Sequence, residues 1–137
     1  MNIRIINKKI ARVCLAATLL LACQSSRPIQ QIGTIEQLYE FIADGGPVVV
    51  KFARSQCSTC GAMNKLFTRF AQMYATLIKF ANVGIKNTPE IAQHFSVKTI
   101  PMLIFFKDGI EAQRVPHIVL TEQFKTLIKE LFDIDQP

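Results

Sequence analysis

Short apolar runs and stretches of 3.6-residue periodicity alternate along this chain, predicting strands and helices in turn. A brief strand is expected over Gln30–Gly33. Thr34, with Gln37 three residues on, has the pattern of a capped helix start; Ile35, Leu38 and Ile42 mark the buried face and Gly45-Gly46 the end. Pro47 to Ala53 is β-branched and apolar except for Lys51, the signature of a strand covered on both faces. Met63, Leu66, Phe67, Phe70, Met73, Tyr74 and Leu77 recur at helical spacing and predict one long helix packed into the core.

Ile78 to Val83 predicts a further strand, and Thr88-Pro89 a helix with Pro at its first position, ending near His94. Met102 to Phe106 is another buried strand, which Lys107-Asp108-Gly109 turns into an antiparallel partner over Ile110 to Val115. Thr121 is expected to cap a last helix with Phe124, Leu127, Ile128, Leu131 and Phe132 on one face. The order βαβαβαββα implies an α/β fold, a central mixed sheet with helices on both faces.

The first 22 residues follow another pattern. Arg4, Lys8, Lys9 and Arg12 precede an apolar stretch from Val13 to Leu21, nine residues long. A membrane-spanning helix needs about 20 residues, so this segment reads as a secretory signal peptide. Leu20-Leu21-Ala22-Cys23 resembles a bacterial lipoprotein box, which implies cleavage before Cys23 and lipid attachment to it. Residues 23–31 would then be an anchored polar tether and residues 32–137 the exported domain, lying close to the membrane. If the host is Gram-negative, Gln24 after the cysteine favours, by the same resemblance, the outer membrane.

Removing that signal leaves twelve Lys and Arg against ten Asp and Glu, a net charge of +2. The high pI therefore belongs mainly to the signal, and no basic stripe with interleaved aromatics points to nucleic acid. Half of the residues are apolar, enough to bury a core without disulfide staples. Of the four cysteines, Cys14 leaves with the signal and Cys23 takes lipid, so the domain keeps Cys57 and Cys60. A pair three apart closes too small a loop to stabilise much. It is better explained as a working pair. A thiol at a helix start meets unpaired N–H groups and the positive end of the dipole, which favours thiolate and disulfide exchange.

Cys57-Ser58-Thr59-Cys60 at a strand–helix junction, Val97-Lys98-Thr99-Ile100-Pro101 before a strand, and Phe105-Phe106-Lys107-Asp108-Gly109 at a hairpin together resemble the thioredoxin family, across about residues 30 to 133. The forty-one positions from Cys60 to Pro101 leave no room for the insertions of larger relatives. The resemblance implies a thioredoxin-like fold and a thiol-disulfide oxidoreductase with Cys57 as nucleophile and Cys60 as resolving thiol. It also implies a cis Pro101 that docks substrate together with Ile100. No organic cofactor and no metal is expected. The implied partners are the thiols and disulfides of exported proteins and a second redox protein, met by a monomer held extracytoplasmically at the membrane.

The chain departs from the family at several places. Gln56 replaces the tryptophan before the first cysteine, and there is no Trp anywhere. Lys51 stands where the family keeps a buried acid. Two readings are open for it: its amine tunes the thiols toward the thiolate, or it snorkels to solvent and does little. Pro116-His117 falls near a family glycine that lets substrate backbone approach. His94 and His117 do not have the spacing of a compact zinc module with the cysteines. A noncatalytic peptide-binding or scaffold module is the rival function.

Overall fold

The computed structural model of the chain describes residues 28–55, 57–117 and 119–135. The expected signal segment 1–22, Cys23 and most of the tether lie outside them, as does Gln56. Five strands, β1 (Gln30–Ile32), β2 (Pro47–Ala53), β3 (Lys79–Gly84), β4 (Met102–Lys107) and β5 (Ile110–Pro116), form one sheet in the order β1-β3-β2-β4-β5. The β1–β3 and β2–β3 pairs are parallel, and the β2–β4 and β4–β5 pairs antiparallel. This is the mixed sheet expected from the element order. Among the described residues four helices cover it: α1 (Ile35–Ala43), α2 (Ser58–Met73), α3 (Pro89–His94) and α4 (Thr121–Phe132).

Because side chains alternate across a strand, β2 feeds two cores. Val48, Val50 and Phe52 join Leu38, Ile42, Ile91, Ile104 and Phe106 on the α1/α3 face. Val49 joins Phe67, Phe70, Leu103, Phe105 and Phe124 on the α2/α4 face. There Phe70 and Phe124 stack with ring centroids 3.8 Å apart and lock α2 to α4.

Local chemistry explains most of the boundaries. Thr34 Oγ1 accepts the Gln37 N–H at 3.1 Å, and Gln37 Oε1 reaches back to the N–H of Gly33 at 2.9 Å, one residue before the cap. The chain leaves α1 through Gly45 and Gly46, both at positive φ. The β4–β5 turn has positive φ at Asp108 and Gly109, the backbone of a two-residue hairpin whose twist matches its strands.

Three sequence expectations need correction. The last helix starts one residue early for Thr121 to cap it: Thr121 is already its first residue and the N-cap is Leu120, whose N–H donates to Gln123 Oε1 at 3.1 Å. Leu77 is outside α2, which ends at Met73; a tight turn carries the N–H groups of Leu77 and Ile78 back to the Tyr74 carbonyl and leaves Leu77 exposed. Ile78 is buried but precedes β3, which runs one residue later than expected, to Gly84.

Candidate active site

β2 runs straight at the start of α2, and the loop between them delivers Cys57 as the helix N-cap. Its extended backbone and sulfur do what a serine does at such a position. The Cys60 N–H donates to Cys57 Sγ at 3.3 Å, and Thr59 Oγ1 lies 3.2 Å from the same sulfur. In this oxidised form Cys57 is bonded to Cys60, with Cα atoms 5.1 Å apart. Cys57 is partly exposed, whereas Cys60, one turn into the helix, is 1% exposed. An incoming thiol or thiolate can reach Cys57 but not its partner. On reduction, the same N–H and helix terminus remain aimed at Cys57 and favour its ionised form.

Pro101 follows a cis peptide bond from Ile100, as the resemblance implied. Pro101 is buried and Ile100 half-buried, and the Pro101 carbonyl accepts the N–H of His117 at 3.0 Å. That bond ties the end of β5 to the proline loop. His117 takes the backbone conformation a glycine would favour, φ 72°, while carrying an exposed imidazole. His94 is elsewhere, held by the Tyr39 hydroxyl at 2.7 Å. Among the described residues no three His, Cys, Asp or Glu side chains come together as a metal site.

Lys51 lies beneath α2. The strand register puts it opposite Asn82 of β3 and Leu103 of β4. With only 5% of the residue exposed, its amine does not snorkel to open solvent. Instead Nζ donates to Asn64 Oδ1 and sits 4.8 Å from the centroid of the Phe67 ring. Burial lowers its pKa from 10.5 to about 8, so it is mainly charged at neutral pH. Asn64, four residues after Cys60, occupies the next turn of the same face, with Cβ atoms about 5–6 Å apart at that spacing. Sequence reasoning missed Asn64. The i+4 offset from Cys60 was its one signal, and an exposed asparagine in a helix carries no other mark.

The thioredoxin family profile matches residues 31–130. Thioredoxin of Mycobacterium tuberculosis is 33% identical over 95 residues, 69% of this chain and 79% of that protein. Thioredoxin 1 of Synechococcus elongatus is 31% identical over 80 residues, 58% of this chain and 72% of that one. Among solved structures, a mutant thioredoxin from Halobacterium salinarum superposes with a TM-score of 0.71 at 19% identity, covering 77% of this chain and 92% of that one. Oxidised mitochondrial thioredoxin 3 of Saccharomyces cerevisiae gives 0.66 at 22%, with 77% and 95% covered. At these identities the structural likeness speaks for the fold alone.

Proposed function

This chain belongs to the thioredoxin family and is a thiol-disulfide oxidoreductase with a Cys57–Cys60 pair; from that premise we propose that it works outside the cytoplasm, tethered by lipid on Cys23. The observation that carries the chemistry is the asymmetry of the pair, one sulfur reachable at a helix N-cap and the other buried one turn below. Cys57 thiolate attacks a client disulfide, forming a mixed disulfide and releasing one client thiol. Cys60 thiolate then attacks Cys57 Sγ, closing the intramolecular bond and releasing the second client thiol, so two electrons pass to the client. The reverse sequence oxidises a dithiol client. Pro101 and Ile100 line the place where the client chain docks.

Lys51 is a positioning residue in this scheme. Its buried charge is held by Asn64, one helical turn from Cys60 along α2, and from there favours the thiolate of the reduced pair and so makes the pair more oxidising.

Support for the tether is in the sequence: basic residues, a short apolar run, and Leu20-Leu21-Ala22 before Cys23. The clients would then be exported proteins, with a second redox protein restoring the pair. The test expresses the full chain in a bacterium and fractionates it. The wild type is expected in washed membranes, and Cys23→Ser in the soluble extracytoplasmic fraction. A Cys60→Ala variant is expected to hold mixed disulfides with exported proteins. Wild type in the cytosol, or mixed disulfides only with cytosolic proteins, overturns the placement.

A further inference from the structure

A charged amine in a protein interior ordinarily has a carboxylate beside it, because desolvating an ammonium without a counter-charge is costly. Among the described residues Lys51 has only neutral partners, the Asn64 amide oxygen and the Phe67 ring face. It stands at the wall of a groove of about 420 Å³. The other walls supply Arg54 and Ser55 from the end of β2 and its loop, Asn64 from α2, Asn82 from β3 and Gln31 from β1. With Thr68 and Asn87 these place four amides and two hydroxyls around Lys51, Arg54 lines a second groove beside α3 as well as this one, and among the described residues no Asp or Glu lines the space. Nor does Lys51 or Arg54 form a salt bridge among the described residues.

The row is built by register. Gln31 pairs with Asn82 and Asn82 with Lys51, so the three side chains share the α2 face of the sheet. Asn82 Nδ2 donates to Gln31 Oε1 at 2.8 Å, which fixes both amides at the groove. Asn64 accepts from Lys51 through its oxygen, which leaves its NH₂ as a donor.

We propose that this groove binds a small oxyanion, a phosphate or carboxylate group, between the Lys51 ammonium and the Arg54 guanidinium. The anion supplies the counter-charge that Lys51 lacks, and a guanidinium presents paired donors to either group. The volume admits a small organic acid or phosphate ester as readily as the inorganic ion. This site is distinct from the client groove at Pro101 and holds wherever the protein resides.

The test titrates the purified, oxidised full chain with sodium phosphate, and in a second arm with sodium citrate, at ionic strength held constant with sodium chloride. Calorimetry gives the affinity, and the amide resonances of Asn64 and Asn82 give the place. One saturable site is expected, weakened about tenfold or more by Lys51→Met and by Arg54→Gln, as fits the loss of a charge-assisted hydrogen bond. The arm that saturates at lower concentration identifies the phosphate or the carboxylate source. Arg54 is exposed, so its variant carries the test should Lys51→Met not fold. A response that never saturates in either arm, or equal affinity in wild type and Arg54→Gln, overturns the proposal.

Discussion

The two faces of β2 have the same backbone and neighbouring strands but different work. On the α1/α3 side, Val48, Val50 and Phe52 are apolar to the end and fully buried. On the α2 side the run is Val49, Lys51, Ala53, and the packing turns polar one residue pair before the strand delivers the cysteines. One face supplies stability along its whole length. The other stops doing so where chemistry begins, and a buried amine takes the place a leucine or valine would fill.

The sharpest way to test that division is to damage the purely structural face. Phe52→Ala leaves a cavity among fully buried neighbours and is expected to cost about 3–5 kcal/mol, read from urea unfolding of the oxidised chain. In whatever fraction stays folded, the alkylation rate of Cys57 after reduction should stay within about twofold, because α2 and its N-terminus rest on the other face. A large loss of Cys57 reactivity in folded protein would show the two faces are not separable.

Much of this division was legible beforehand. The βαβαβαββα order, both buried strands and the CxxC junction follow from periodicity and from two cysteines three apart. Lys51 stood out as the one charge in an apolar run. What was not legible depends on backbone geometry rather than residue type. Thr121 is a better cap than Leu120 by side chain, yet Gln123 reaches the Leu120 N–H and moves the helix start. α2 stops at a turn around Tyr74 that has no Gly or Pro to announce it, so the apolar row ran on to Leu77. The charged groove is invisible for a related reason: Gln31, Lys51 and Asn82 are far apart in sequence and meet only through the sheet register, and Asn64 joins them only because α2 packs over that face.

A second prediction strikes the α2 side. Lys51→Met keeps the volume and removes the charge. In the folded chain the amine loses its proton near pH 8, against 10.5 when exposed. Between those values the unfolded chain holds more protons, so wild-type stability rises with pH; below pH 8 both states are protonated and the penalty is fully present. Lys51→Met should therefore be more stable than wild type by about 1–2 kcal/mol at pH 7, allowing for screening from the groove, and the gain should fade toward pH 10.5. The same variant should lower the reduction potential of the pair by roughly 10–30 mV, about 1.4 kcal/mol per 30 mV, as the thiolate loses its cation. Equilibration with glutathione buffers measures it. A stability gain with an unchanged potential would leave Lys51 a packing residue and remove its part in tuning the thiols.

The smallest effect is expected at the loop that closes the site from β5. His117 sits at φ 72° with its N–H on the Pro101 carbonyl. Replacing it with glycine relieves a left-handed conformation worth about 1 kcal/mol, but glycine also frees the unfolded chain by a similar amount. The two nearly cancel, and the unfolding free energy of His117→Gly should differ from that of the wild type by less than about 1 kcal/mol. Exchange with clients should move more. The imidazole is exposed beside the proline loop, so a protein disulfide whose backbone must lie along Pro101 gains room when it is removed. A small disulfide such as oxidised glutathione meets only Cys57. The ratio of the two second-order rates is the discriminating measurement: a rise for the protein client alone places His117 at the docking edge, and equal changes, or none, confine the substrate groove to Ile100 and Pro101.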